Sequence, residues 1–222
     1  MGLYVRLTLT ETPAFQHAIE NNERVEVPIK TVFAKYSPQV LLGTFAALAT
    51  FVLFYLMTVF ALSWGTSKLH YSREEFLILQ MGGVLFFGLG IPVSALLADR
   101  FSSHTVLIGA TIAILLFGLG FAPLFAASNS FEVLMFSAVG LGLMGLTYGP
   151  LGTALSELFP TAVRYTGASV AFNLAGIVGA SLAPYIATWL AGNYGLSYVG
   201  FYLAGAAFLT LLALLRIKKS NP

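Results

Sequence analysis

The stretch Val40–Trp64 reads VLLGTFAALATFVLFYLMTVFALSW and contains no charged residue. A helix of about 20 mostly apolar residues crosses the hydrocarbon core of a bilayer, which is about 30 Å thick. Five further apolar runs follow it, at residues 76–97, 106–125, 133–155, 165–190 and 196–215. Hydrophobic residues make up 58% of the 222-residue chain and charged residues only 9%, more apolar surface than a soluble domain would bury. The sequence therefore predicts an all-α membrane protein with six transmembrane helices.

Composition argues against several classes of function. The chain has no cysteine, which excludes disulfides and thiolate metal sites, and its formal charge of +2 is too small to indicate a nucleic-acid partner. His17, His70 and His104 are scattered through predicted loops, and we interpret them as solvated surface residues. No nucleophile and base stand together in the sequence. We expect no enzyme activity, no catalytic residue, no bound metal and no cofactor.

The loop charges orient the chain in the bilayer. With six spans, both termini lie on one side, and that side would carry nine of the basic residues: Arg6, Arg24, Lys30, Lys35, Arg100, Arg164, Arg216, Lys218 and Lys219. The opposite loops hold only Lys68 and Arg73. Positively charged loops stay in the cytoplasm. We therefore predict a multi-pass protein of the bacterial inner membrane with both termini cytoplasmic and the lipid bilayer as its surroundings.

Three regions follow from this topology. Residues 1–37 are polar and form a cytoplasmic loop, although the apolar opening Met1–Val5 looks like the end of a preceding helix. Residues 38–216 form the six-helix bundle, and residues 217–222 form a cytoplasmic tail.

Polar side chains inside the spans are the candidate solute ligands. No Asp, Glu, Lys, Arg or His lies near the middle of any span, so this chain offers no obvious proton carrier. Hydroxyl and amide groups remain, and we select as candidate substrate-binding residues Tyr55, Thr58, Thr147, Tyr148 and Asn173. Gln80 is a further polar residue at membrane depth. The alternative for each is a hydrogen bond between helices.

The fourth run is dense in glycine. Gly140, Gly142, Gly145 and Gly149 precede Pro150, and small residues at such spacings allow two helices to approach closely. Close packing is one interpretation. A flexible helix that moves during transport is the other, because proline removes a backbone hydrogen bond.

Two loops on the predicted cytoplasmic side carry charges at helix ends. Asp99 and Arg100 follow the second run, while Glu157 and Arg164 lie between the fourth and fifth. A carboxylate at one helix end and an arginine from a neighbouring loop can pair and hold a gate shut. Ordinary interfacial anchoring explains the same charges equally well. We carry the four residues forward as candidate gating residues.

Three segments carry a family resemblance. Glu11–Phe15, Gly145–Pro150 and above all Glu157–Ser169, which reads ELFPTAVRYTGAS, resemble the C-terminal half of the major facilitator superfamily, in particular its metabolite:H+ symporter family. The resemblance implies that the six spans are helices seven to twelve of a carrier with two six-helix halves. It also implies symport of protons with a small metabolite, an organic acid or a zwitterion, by alternating access.

The chain departs from that family in two respects. In the loop after the second run, Ala95 and Ser102 stand where the superfamily pattern has glycines, which weakens the gate that the resemblance implies for Asp99 with Arg164. The other half of the carrier is also missing. A truncated gene product, pairing with a separately encoded N-terminal half, and a homodimer are the three explanations, of which we favour the first. The alternative function is a non-transporting membrane remnant or scaffold.

Overall fold

The computed structural model describes residues 28–125 and 129–217, and within these ranges the chain is helical with no strand. The helices are α1 (Pro28–Lys35), α2 (Ser37–Ser67), α3 (Arg73–Phe101), α4 (Ser103–Leu119), α5 (Phe121–Phe125), α6 (Ser130–Ser156), α7 (Arg164–Tyr194) and α8 (Leu196–Arg216). A 3-10 turn, Thr161–Val163, precedes α7. Most of the predicted loop 1–37 and of the tail 217–222 lies outside the described residues.

The predicted spans are confirmed as helices. Five of the described helices, α2, α3, α6, α7 (counted from Thr161) and α8, are long and apolar enough to cross a membrane. The third predicted run is instead divided between α4 and α5 at Gly120. Seventeen residues of α4 span about 26 Å, slightly less than the hydrocarbon core. The two pieces stay linked because the Gly120 N–H donates to the Leu116 carbonyl at 3.0 Å and the Leu124 N–H donates to the Gly120 carbonyl at 3.1 Å.

The helix contacts repeat after three helices. The most extensive pair is α3 with α6, and the next are α2 with α7, α4 with α8, α2 with α8, and α4 with α6. Exchanging α2 with α6, α3 with α7 and α4 with α8 maps this pattern onto itself. Equivalent helices are the first and fourth, second and fifth, and third and sixth spans along the chain. Because an odd number of crossings relates them, α6, α7 and α8 run through the membrane in the opposite direction to α2, α3 and α4. The bundle is thus built as an inverted repeat of two three-helix units.

Glycines bring the paired helices together. A Cβ atom at Gly145 on α6 would overlap the carbonyl oxygen of Phe87 on α3 and lie 3.0 Å from the Gly90 Cα atom. At the crossing of α4 and α8, a Cβ atom at Gly118 would lie 2.9 Å from the Gly200 carbonyl oxygen. The close-packing interpretation of the glycines in the fourth run therefore holds at Gly145.

Burial is uneven across the bundle. Only 22% of the apolar stretch of α3 and 29% of that of α7 is buried, against 61% for α2. Large apolar side chains point outward from both helices, among them Leu85 and Leu89 on α3 and Ile177 and Tyr185 on α7. The two equivalent helices α3 and α7 thus present the most open surface of the described bundle.

Candidate functional site

A cavity of about 250 Å³ lies between the second half of α6 and the first half of α7. Its lining is Gly152, Leu155, Ser156, Tyr165, Ala168, Ser169, Phe172 and Asn173. The polar residues of α7 are spaced by four, which places Tyr165, Ser169 and Asn173 on one helix face. Gly152 and Ser156 have the same spacing on α6, so two matching faces meet across the cavity.

The polar side chains of the cavity lining are uncharged hydrogen-bond donors and acceptors. The Asn173 Nδ2 donates to the Ser169 carbonyl at 2.8 Å, and the Ser156 hydroxyl donates to the Gly152 carbonyl at 2.8 Å. The Asn173 Oδ1 has no hydrogen-bond partner among the described residues and remains available as an acceptor. This arrangement suits a small polar solute held by hydrogen bonds. Ser156, Tyr165 and Ser169 were not selected from the sequence, although the four-residue spacing of Tyr165 and Ser169 with Asn173 would have indicated those two.

Tyr148 extends the cavity by one helical turn. Its ring is 41% exposed and lies between two aromatic rings, with centroids 5.8 Å from Phe87 on α3 and 6.4 Å from Phe172 on α7, both edge to face. Phe172 also lines the cavity. Tyr148 therefore connects the cavity to α3. Together with Phe172 it gives an aromatic surface to the cavity wall on the N-terminal side of Gly152.

The other predicted wall residues lie elsewhere. Thr147 is only 1% exposed, and its hydroxyl donates to the Met144 carbonyl at 2.9 Å, so it faces the packed interior. Tyr55 and Thr58 lie on α2, where the Thr58 hydroxyl donates to the Phe54 carbonyl at 2.7 Å and the Tyr55 ring packs against Phe54. Of the five predicted ligands, the structure brings together Tyr148 and Asn173.

The four predicted gating residues are all exposed and lie at one end of the bundle. Asp99 and Arg100 are in the last turn of α3, Glu157 caps the end of α6, and Arg164 begins α7. The Arg164 Nε donates to the Phe159 carbonyl at 3.2 Å, and the Arg100 guanidinium lies 5.3 Å from the centre of the Phe101 ring. Within residues 28–125 and 129–217 no ion pair joins Asp99 to Arg164. The gate stays a prediction.

The histidines differ from each other. His70 is exposed, as expected, and His17 lies outside the described residues. The expectation for His104 is wrong, because its Nε2 lies 2.7 Å from the Leu214 carbonyl oxygen and the side chain is half-buried. The start of α4 packs beside the end of α8, where the Leu214 carbonyl accepts a last-turn hydrogen bond from the Ile217 N–H at 3.1 Å and takes the His104 ring as a second partner. His104 thus joins two helix ends instead of standing free in water.

Comparison with known proteins identifies the family. The model of the Major Facilitator Superfamily matches residues 3–222. The chain is 48% identical to the "Inner membrane metabolite transport protein YhjE" of Escherichia coli, over 97% of this chain and 50% of that protein. It is 38% identical to a "Putative metabolite transport protein" of Haemophilus influenzae, over 100% of this chain and 53% of that protein. A "Proline/betaine transporter" of Escherichia coli is 29% identical over 99% of this chain and 46% of its own length.

The chain spans about half the length of the curated relatives it matches. No solved structure matches it. The family match covers the described bundle from end to end, and its six apolar runs, helical fold and inverted repeat are those expected for one half of such a protein. The chain is a multi-pass membrane protein that belongs to the Major Facilitator Superfamily.

Proposed function

We propose that this chain forms the C-terminal half of a proton-coupled metabolite symporter of the bacterial inner membrane. The cavity between α6 and α7 carries this proposal, because the hydrogen-bonding groups of Ser156, Ser169 and Asn173 lie in its lining beside the open surface of α7. The names of the relatives, which describe metabolite transport and in one case an inner membrane location, support the solute class and the membrane.

A second six-helix half would complete the carrier. The open helices α3 and α7 are equivalent in the inverted repeat, so a partner with the same internal symmetry meets both in the same way. Solute would then lie between the halves and reach either side as they rock against each other. A separately encoded N-terminal half or a second copy of this chain would both supply such a partner.

The residues of the cavity lining suggest which half of the carrier binds the solute and which half binds the proton. The amide of Asn173 and the hydroxyls of Ser156 and Ser169 in the lining, with that of Tyr148 beside Phe172, would hydrogen-bond a small organic acid or zwitterion and supply no charge of their own. The spans of this chain hold no Asp, Glu, Lys, Arg or His at mid-depth. The proton-coupling carboxylate would therefore come from the partner half. Tyr55 and Thr58 on α2 would line the same path.

The charged helix ends would close the path at the cytoplasmic side. Asp99 and Arg100 end α3, and Glu157 and Arg164 flank the link from α6 to α7. All four are exposed. We propose that they form ion pairs across the interface between the two halves when the carrier faces outward. Both termini of the chain would then lie on the same cytoplasmic side as these residues.

Uptake measurements test the proposal. The chain would be expressed alone and together with the N-terminal half of the Escherichia coli relative, and uptake of organic acids and betaines into inverted or right-side-out vesicles would be measured with and without an uncoupler. We expect uncoupler-sensitive uptake only with the partner half. Uptake by the chain alone would indicate a homodimer. No uptake in either case, with the protein inserted in the membrane, would contradict the proposal and favour a remnant or scaffold.

A further inference from the structure

Helix α2 is interrupted by a π-helical turn at Leu56–Phe60. At the end of this turn the Ala61 N–H donates to the Leu56 carbonyl, five residues back, whereas a regular α-helix would use the Met57 carbonyl. The Met57 carbonyl is therefore deprived of the Ala61 donor at membrane depth, where water is not available to replace it. A single π turn of this kind is often found at functional sites.

A side chain from α3 supplies the missing donor. The Gln80 Nε2 lies 2.7 Å from the Met57 carbonyl oxygen and 3.1 Å from that of Thr58. The Gln80 amide must point its nitrogen at these two carbonyl oxygens, because its own oxygen would repel both of them. Gln80 is buried, with 8% of its surface exposed. The amide thus spans two consecutive carbonyls of the π turn and closes a gap that the turn itself creates.

The third side of the turn is closed by α6. Gly140 faces Met57, and a Cβ atom there would lie 2.6 Å from the Met57 Sδ. The π turn is therefore seated between an amide on α3 and a glycine on α6. Tyr55 immediately precedes the turn and Thr58 is its third residue.

We propose that Gln80 is a positioning residue for transport: its amide holds α2 in the π-turn form and so fixes the direction of the segment after the turn relative to Tyr55 and Thr58. One extra residue in a turn rotates the helix beyond it by about 100° relative to a regular helix. Without the amide, relaxation to the α form would rotate the segment after the turn and change the wall that α2 offers to solute. The wall role of Tyr55 and Thr58 rests on the proposed function, whereas the Gln80 contact does not.

The first test observes the Met57 carbonyl directly. Met57–Thr58 is the one Met-Thr pair in the sequence, so labelling methionine with ¹³C at the carbonyl and threonine with ¹⁵N gives a single correlation for that peptide bond. Gln80→Met keeps the side-chain length and removes both donors. We expect the Met57 carbonyl resonance of the purified chain in micelles to move upfield in Gln80→Met, because a carbonyl that loses a hydrogen bond shifts in that direction.

Thr210→Val is the matched control. Thr210 on α8 makes another polar bridge to α2: its hydroxyl donates to the Phe45 carbonyl at 2.7 Å and accepts from the Ala49 N–H at 3.0 Å. Its loss also removes two interhelical hydrogen bonds from α2, but at a distance from the π turn. The Met57 resonance should stay in place in Thr210→Val. An unmoved resonance in folded Gln80→Met, or an equal shift in both variants, would overturn the proposal.

A second measurement reports the rotation. The sequence has no cysteine, so single cysteines can be alkylated without background. Ser63, after the turn, and Leu41, before it, are both exposed. We expect Gln80→Met to slow alkylation of Ser63→Cys about fivefold or more relative to Leu41→Cys, the factor that corresponds to losing a typical hydrogen bond. An unchanged ratio would refute the positioning role.

One measurement needs no variant at Gln80, in case that variant does not fold. The glutamines of the sequence are Gln16, Gln39 and Gln80, and their side-chain amides can be followed by ¹⁵N-glutamine labelling after transfer to D₂O. Because the Gln39 Oε1 is also buried, the measurement is made in Gln39→Asn, and we expect one glutamine amide pair to outlast the other there. If all exchange like free glutamine, the Gln80 bridge is refuted. None of these readouts depends on transport, so they distinguish failure of this inference from failure of the proposed function.

Discussion

Replacing Gly145 with alanine tests the backbone contact between α6 and α3, the pair of helices with the most extensive contact. The added Cβ would overlap the Phe87 carbonyl oxygen and lie 3.0 Å from the Gly90 Cα, and both are backbone atoms of α3. No side-chain rotation relieves this overlap, so α3 and α6 must separate. Overpacking of a tight interior costs about 1–3 kcal/mol, and we expect about 2–3 kcal/mol here because the obstacle is backbone.

Two other glycines of α6 provide controls for Gly145→Ala. A Cβ atom at Gly152 would meet no atom within 4 Å, and one at Gly142 would make an ordinary contact of 3.7 Å with the Phe86 Cβ. Alanine is favoured over glycine in a helix by about 1 kcal/mol, and that gain is common to all three positions. The difference between Gly145→Ala and Gly152→Ala therefore isolates the steric cost.

The assay is reversible unfolding of the purified chain in mixed micelles, with the denaturing detergent fraction as the variable. We expect the free energy of unfolding to fall in Gly145→Ala and to stay level or rise in Gly142→Ala and Gly152→Ala. If Gly145→Ala unfolds at the same detergent fraction as Gly152→Ala, the two helices are not in backbone contact at this position and the packing argument is wrong.

Two further predictions concern the cavity and a helix end. Asn173→Ala should raise the KM for uptake by the reconstituted carrier about 5- to 30-fold, the loss of one or two hydrogen bonds to solute, while Asn193→Ala, which removes the same kind of local bond from α7 outside the cavity lining, should not. Ser72→Ala should lower the free energy of unfolding by about 1 kcal/mol, because Ser72 and Glu75 form a reciprocal cap at the start of α3.

The positions of the six apolar runs, and five helices of membrane-spanning length, could be predicted because hydropathy alone sets them. Each run is long enough for the bilayer, and turn or charged residues such as Ser72 and Arg73 mark the ends. The break at Gly120 could not be predicted, since glycine is tolerated within membrane helices and other glycines in α6 leave the helix intact.

The sequence could not predict which polar side chains face the cavity and which face the packed interior. Thr147 and Tyr148 are neighbours and both were candidate ligands, yet one is buried and the other is 41% exposed. Consecutive helix residues point about 100° apart, and only an amphipathic pattern would tell which of them faces a cavity. Apolar residues surround these helices on every side, so that pattern is absent. The four-residue series of Tyr165, Ser169 and Asn173 is the one sequence signal that would have identified the cavity face.

The inverted repeat relates irregularities that look unconnected in the sequence. Pro92 lies 19 residues after the start of α3 and Pro184 lies 20 residues after the start of its equivalent, α7. Each proline removes a backbone donor at the corresponding position of an equivalent helix, counted from opposite sides of the membrane, and these are the two least buried of the long helices. The π turn in α2 is not repeated in its equivalent α6, which is a continuous α-helix with Pro150 at the corresponding position. The two halves of the repeat therefore share their open surface but differ in the helices behind it. That difference is why Gln80, which braces only α2, is expected to act on one side of the solute path.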